Sequence, residues 1–282
     1  MNETIDAFHR GRFHVVQPKG AGHRSGVDAM LLASLVDAQG PVSVADLGAG
    51  AGAAGLAVAS RLPQASVLLV ERSALMAQYA RKTLALTENA ALATRVRVLE
   101  ADVAATGRAR LAAGLADEVH DHVIMNPPFN DPADRLTPDL LKAEAHAMSE
   151  GLFESWIRTA GAIMKPGGQL SLIARPQSVA EIIPACGRRF GGVEITVVHP
   201  RPAEDATRIL VTAIKGSRAR LAFRAPLFLH GSEGHGFTVA QRIGRSALVV
   251  EARRQPHREV QSAVAAVDLV RHLEVACERR PQ

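Results

Sequence analysis

Aromatic residues are scarce in this chain of 282 residues: they make up 4% of it, with one tryptophan and one tyrosine. A platform that stacks several bases in succession is therefore excluded. Any recognition of nucleic acid has to rest on one flipped base and on backbone shape. Cysteine is scarcer still. Cys186 and Cys277 lie far apart and form no metal-ligand cluster, and a structural disulfide is not expected of a cytoplasmic protein. The eleven histidines include no H-E-x-x-H or related spacing. His230 and His235 flank a glycine-rich turn and read as loop residues, so no metal is expected. No apolar run approaches the ~18 residues that a membrane-spanning helix needs. The N-terminus, MNETIDAFHRGRF, lacks the basic-then-apolar order of a secretory signal. There are no internal repeats and no low-complexity segment. With 47% hydrophobic residues, the chain has the composition of a soluble, cytoplasmic globular protein with a sizeable core.

Asn126-Pro127-Pro128-Phe129 is the most informative stretch that is present. It follows an apolar run, Val123-Ile124-Met125, that reads as a buried strand. Asn-Pro ends the strand at once, because proline has no N–H for a ladder and drives the residue before it toward extended geometry. Two consecutive prolines leave a stiff platform that carries an amide, free carbonyls and an aromatic ring. Such a platform suits the gripping of a planar amine. The Asn126 side-chain oxygen and the Pro127 carbonyl each accept from an NH2 group, and the Phe129 face stacks on the ring that bears it. The plainer reading of the four residues alone is a rigid turn without chemistry.

Upstream, Val42-Ser43-Val44-Ala45 reads as a strand, followed by Asp46-Leu47-Gly48-Ala49-Gly50-Ala51-Gly52 and then a helix. Glycines at 48, 50 and 52 let backbone approach a ligand, and the helix start offers free N–H groups. Gly50, Gly52 and Gly55 also satisfy the G-x-G-x-x-G spacing of a dinucleotide site, so a dehydrogenase has to be weighed. Asp46 counts against it. A carboxylate there would face the pyrophosphate of a dinucleotide, whereas a nucleoside carrying a sulfonium and an ammonium group would welcome it. Glu71 ends the next apolar run and suits ribose hydroxyls in either ligand. Asp102 follows the third run, where it suits an adenine amine.

The order of elements predicts an α/β fold with a seven-stranded, mostly parallel sheet covered by helices on both faces. Helices are expected at about 27–37, 53–62, 73–88, 107–116, 149–164 and 177–190. Strands are expected at 42–47, 66–71, 96–100, 120–125 and 169–174, with a final hairpin of 193–198 and 207–214. Lys165-Pro166-Gly167-Gly168 reads as a stop and turn, 130–138 as a polar loop, and 257–278 as helical. The domain reading is a cap segment and helix over 1–40, a cofactor-binding domain over 41–220 and a basic extension over 221–282. All four motif groups, at 46–52, 71, 102 and 126–129, then fall at the carboxyl ends of strands, where such sheets bind ligands.

The succession DLGAGAG, VERS, EADV and NPPF resembles S-adenosyl-L-methionine-dependent methyltransferases of the class I, Rossmann-like kind that methylate amines. More narrowly, GHRSGVDAMLLAS at 22–34, KPGGQLSLIARPQSVAEII at 165–183, HPRPAEDATRILVTAIKGSRA at 199–219 and LFLHGSEGHGFTVAQRIGR at 227–245 resemble the bacterial family that methylates N6 of the adenine beside the anticodon of a valine tRNA. The resemblance covers roughly residues 8 to 250. It implies that Asn126, Pro127, Pro128 and Phe129 form the catalytic loop. It implies that Asp46 and the backbone at Gly48, Gly50 and Gly52 hold the methionine part of S-adenosyl-L-methionine. Glu71 then holds the ribose, with Arg72 beside it, and Asp102 with the Val103 N–H holds the adenine. Arg24, Gly26 and Asp28 close over the cofactor, although Asp28 also reads as a helix N-cap. The NPP loop is shared with ribosomal RNA and DNA amino methyltransferases and with protein glutamine methyltransferases. A binder that kept the fold without activity has no use for it.

Net charge is +5, and residues 216–282 hold eleven arginines against six acids, so this tail accounts for the formal excess. Arg10, Arg12, Lys19 and Arg24 form a second basic stretch. The commonest meaning of such clusters is a solvated face. Two of them flanking a base-binding loop point to RNA, tRNA in particular, as the partner.

Overall fold

The computed structural model describes residues 3–19, 26–128 and 151–231. Arg24, Phe129, Cys277, His235, the loop at 130–138 and the helix at 257–278 lie outside them.

The chain opens with a hairpin, β1 (Glu3–Phe8) and β2 (Phe13–Pro18), paired antiparallel as a separate two-stranded sheet. Helix α1 (Val27–Ser34) leads to β3 (Val42–Leu47), α2 (Ala53–Arg61), β4 (Ala65–Glu71) and α3 (Ala74–Leu84). A short 3-10 turn at Thr87–Asn89 and α4 (Ala90–Ala93) precede β5 (Val96–Glu100), α5 (Gly107–Ala112) and β6 (His120–Met125). After the platform come α6 (Leu152–Ile163), β7 (Met164–Ala174), α7 (Val179–Cys186), β8 (Phe190–His199) and β9 (Arg208–Lys215). Two short strands follow, β10 (Ala222–Phe223) and β11 (Leu227–Phe228).

The main sheet runs β10-β8-β9-β7-β6-β3-β4-β5, with β11 also paired to β8. Its pairs are parallel except β7–β9 and β8–β9. The seven long strands are those expected; β10 and β11 extend the edge by two residues each. Both faces are covered. Val44, Val67, Leu69 and Ile124 pack with α1, α2 and α3 on one side, while Ala45, Leu47, Val70, Val123 and Met125 pack with α6 and α7 on the other. Alternate residues of each central strand thus enter opposite cores, which is why these strands are apolar almost throughout.

Sequence order reverses between β3 and β6. From β3 the chain builds outward through β4 and β5, then returns to β6 on the other side and continues to β7. A crevice opens at the carboxyl ends of strands at such a switch point.

Several elements differ from expectation: α1, α3 and α5 end at Ser34, Leu84 and Ala112, short of the bounds expected, and α4 is additional. The N-terminal segment forms the β1–β2 hairpin, latched to the body by Asn89, which accepts from His14 N and donates to the carbonyls of His14 and Thr83. Lys165-Pro166-Gly167-Gly168 is not the stop of α6, which ends at Ile163 with Met164 already extended, but a bulge inside β7. Met164 pairs with His120 and Gln169 already pairs with His122, so four residues of β7 oppose one of β6. A Cβ on Gly168 would sit 2.8 Å from Asp121 O, so the bulge requires a glycine there. The helix expected over 177–190 ends at Cys186, after Pro184 inside it and before Gly187 at φ +52. Cys186 is a buried free thiol whose pKa burial pushes up to about 11.

Candidate active site at the carboxyl ends of β3 to β6

Register brings the two halves of the site together. Leu47 pairs with Met125 and with Val70, so Gly48, Glu71 and Asn126 follow three adjacent strands at one level. Neighbouring strands stand ~4.8 Å apart. Glu71 pairs with Glu100 in turn, which places Asp102 and Val103 just past the end of β5.

The turn after β3 is a chain of backbone bonds. Gly48 N and Ala49 N both donate to Val70 O, at 2.9 and 3.0 Å, and Gly52 N donates to Ala49 O. Gly48, Gly50 and Gly52 have φ of +73, +55 and +91, a region that L side chains rarely adopt. The turn thus closes tightly: Gly48 and Gly50 stay partly exposed, while Gly52 is buried against Leu56 and Leu69.

Two carboxylates occupy the amides of this turn. Asp46 Oδ2 accepts from Gly55 N at 2.9 Å, and Glu71 Oε2 accepts from Gly50 N at 2.9 Å. Glu71 Oε1 accepts from Ser73 N, and Ser73 caps α3. A dinucleotide pyrophosphate needs these same N–H groups free. Here they are taken by acids, which counts against a dinucleotide despite the G-x-G-x-x-G spacing. Asp46 is 2% exposed. Burial pushes its pKa from 3.8 up to about 7, against the pull of the Gly55 N–H and with the help of the Glu71 charge. A positively charged ligand at this turn would stabilise the ionised form of Asp46. The glycine cradle, the two acids and the exposed Asp102 fit the groups of S-adenosyl-L-methionine: a cationic amino-acid end, ribose hydroxyls and an adenine.

Asn126 stands one strand away. Its Oδ1 is buried and has no hydrogen-bond partner among the described residues. Pro127 is buried and Pro128 partly so. Asp102 Oδ1 accepts from Ala104 N at 2.8 Å, which folds the end of β5 over, and buried Val103 accepts from Thr159 Oγ1 through its carbonyl at 2.7 Å. Arg72 follows Glu71 on the surface. Gly26 and Asp28 lie at the start of α1, where Asp28 pairs with Arg208 of β9 at 3.0 Å. Gly26 occupies the N-cap position with no side-chain cap bond, so Asp28 serves as an ion-pair partner and not as the cap. Three residues that sequence reasoning passed over also shape this end: Trp156 against Gly48, Thr159 on Val103, and Arg208 on Asp28. Arg208 lies within a segment that carries the resemblance, but nothing in the spacing of Trp156 and Thr159 points to the site.

A three-layer α/β fold with this strand order, a glycine turn bonded to two acids and an Asn-Pro-Pro platform is that of a class I S-adenosylmethionine-dependent methyltransferase. The chain belongs to the family described as the methyltransferase small domain, whose model matches residues 21–199. A protein described as a predicted O-methyltransferase, from Agrobacterium tumefaciens, is 61% identical in sequence and superposes with a TM-score of 0.66, over 75% of this chain and 91% of its own. The tRNA1(Val) (adenine(37)-N6)-methyltransferase of Porphyromonas gingivalis is 27% identical over 237 residues, 82% of this chain and 90% of that protein. The 16S rRNA N2 G1207 methyltransferase of Thermus thermophilus shares the fold, with a TM-score of 0.52 at 18% identity, over 76% of this chain and 50% of its own. Among the described residues no helix is long and apolar enough to cross a membrane.

Proposed function

We propose that this protein transfers a methyl group from S-adenosyl-L-methionine to the exocyclic N6 amine of an adenine in RNA, and that the RNA is a tRNA. The observation that carries this reading is the orphaned Asn126 Oδ1. A buried acceptor without a donor costs about 1–3 kcal/mol, a cost that a substrate N–H removes.

Bound S-adenosyl-L-methionine supplies an electrophilic methyl group on a sulfonium sulfur. The chain supplies alignment. Asp46 and the Gly48–Gly52 backbone receive the methionine end, Glu71 the ribose, and Asp102 with the Val103 N–H the adenine. Asn126 Oδ1 and the Pro127 carbonyl accept the two amine protons of the target base. Both bonds favour a nitrogen whose lone pair leaves conjugation with the ring and points at the methyl carbon. They strengthen as positive charge develops on that nitrogen, which is the condition for lowering the barrier. The surplus proton then passes to water, and no general base is needed before transfer. Phe129 follows as the stacking face for the flipped base. Arg24, Gly26 and Asp28 complete the cofactor end, and Arg72 extends it at the surface.

The adenine N6 atom and tRNA are supported by the Porphyromonas gingivalis relative, which covers most of the chain, and by the basic stretches that precede and follow the platform in sequence. A second reading, transfer to a hydroxyl, is favoured by the description of the Agrobacterium tumefaciens relative. A hydroxyl offers one proton where the platform presents two acceptors, so the amine fits better.

The deciding experiment incubates the purified protein with methyl-labelled S-adenosyl-L-methionine and total RNA from a strain lacking the gene, and identifies nucleosides by mass spectrometry. Labelled N6-methyladenosine in the tRNA fraction is the expected result. Label in a ribose 2′-O-methyl group would replace the amine reading with the hydroxyl one. Label confined to DNA or protein would remove RNA as the partner.

A further inference from the structure

Helix α6 touches the cofactor end of the site at two points. Trp156 lies against Gly48, such that a Cβ added to Gly48 would stand 2.5 Å from Trp156 Cη2 and 2.9 Å from Cζ3. Three residues later, on the same helical face, buried Thr159 donates to Val103 O at 2.7 Å. Gly48 follows β3 and Val103 follows β5, with β4 between those strands. One helix therefore braces two loops that stand on either side of β4. It is also the first described element after the Asn126–Pro128 platform.

Core packing accounts for Thr159, whose hydroxyl needs a partner once buried. Trp156 packs partly buried against the core formed by Leu47, Val70, Met125 and Phe153, and in addition its ring meets the glycine turn. Its ring fits only because Gly48 has no side chain, and Gly48 has a φ of +73. Ring and turn are thus complementary as a pair, 108 positions apart in sequence.

We propose that Trp156 is a positioning residue for methyl transfer: its indole holds the Gly48 turn in the conformation that receives the cofactor, and ties that turn to the helix that follows the amine-gripping platform. The proposal rests on the cofactor reading given above. It adds a residue that touches the turn and not the reacting atoms.

The chain contains one tryptophan, so its emission reports Trp156 alone. Titration of the full chain with S-adenosyl-L-methionine, and separately with S-adenosylhomocysteine, is expected to change that emission saturably, with the dissociation constant that calorimetry gives. Trp156→Phe removes the ring edge that meets Gly48. The expected split is a cofactor dissociation constant raised about tenfold, a kcat at saturating cofactor within about twofold of wild type, and an unchanged KM for RNA. A merely structural role would lower the melting temperature and leave the cofactor constant where it was. Calorimetric binding without any change in emission, or a Trp156→Phe protein with wild-type cofactor affinity, would overturn the proposal. If Trp156→Phe fails to fold, the wild-type titration decides alone. Absence of calorimetric binding in the wild type would remove the cofactor reading, and this inference with it.

Discussion

At Asn126 a buried acceptor is left unsatisfied among the described residues, which folding alone disfavours. Asn126→Ala is therefore expected to lower kcat by about 10²–10³-fold, the usual effect of removing one preorganised transition-state contact. The calorimetric affinity for S-adenosyl-L-methionine should stay near wild type, since Gly48, Glu71 and Asp102 are untouched. A variant turning over at near-native rates would end the amine-gripping role. Asp46 makes the same trade in a different form. A carboxyl whose folded-state pKa lies above its unfolded value takes up a proton on folding, so its contribution is most favourable below 3.8 and is lost as pH rises to about 7. Above that, keeping it ionised in the unliganded protein costs on the order of 4 kcal/mol. Asp46→Asn keeps an acceptor for Gly55 N and removes the charge. It should melt higher than wild type at pH 8, lose that advantage by pH 4, and bind the cofactor more weakly. Thermal melts across pH, paired with calorimetry, test both halves; equal melting temperatures at pH 8 would show that the buried charge carries no cost.

Strands were legible in the sequence where a clear stop closes them. The bounds of β3, β5 and β6 match expectation residue for residue: β5 is an edge strand buried only at Val96 and β6 opens on His120-Asp121-His122, but each ends at a glycine turn, an acid or Asn-Pro. The four motif groups then fell at strand ends, and register in the sheet places Gly48, Glu71 and Asn126 level. The β1–β2 hairpin was not legible. β1 is mostly exposed, so it lacks an apolar pattern, and its turn uses His9 and Arg10 at φ +48 and +59 in place of an Asn-Gly or Asp-Gly pair. What holds the hairpin is non-local: Asn89 is 75 residues from His14. Nor could spacing disclose Trp156 on Gly48, since that contact exists only once α6 lies across the sheet. The latch gives a prediction at this scale. Asn89→Ala removes all three bonds from a buried residue and strands the His14 backbone, which should cost about 2–4 kcal/mol. Amide exchange should accelerate over residues 3–18 more than in β3 to β6. Uniform acceleration across the chain would mean that the hairpin has no stability of its own to lose.

Across the whole molecule, charge and site are distributed unevenly. Arg10 and Arg12 flank the hairpin tip, next to the strand that His14 ties to Asn89, beyond the carboxyl end of α3. They therefore stand toward the amino ends of the main sheet, opposite Asn126, and any RNA they touch must extend past the sheet. The described part of the basic tail climbs the other edge. β10 and β11 pair parallel to β8, so the chain runs upward from Arg218 and Arg220 toward the level of the site. Both arginines are exposed and make no ion pair among the described residues, whereas Arg224 is paired with Glu194. Phe223 beside them is 68% exposed. Four strand spacings separate β10 from β6, or about 19 Å, a span that an RNA stem can bridge while one base is flipped over Asn126. Phosphate contacts of this kind release counterions, so affinity falls linearly in log–log form with salt, with a slope near 0.7–0.9 per contact. Wild-type affinity for tRNA, measured by fluorescence anisotropy over a series of salt concentrations, should therefore fall steeply. The double change Arg218→Glu, Arg220→Glu should weaken binding at low salt and flatten the slope by up to about 2. Cofactor affinity and melting temperature should hold, because neither arginine contacts the core or the glycine turn. A slope equal to wild type would show that this edge is an ordinary solvated face. A flat wild-type curve would go further and withdraw the electrostatic case for RNA, leaving Asn126 and the relatives as its only support.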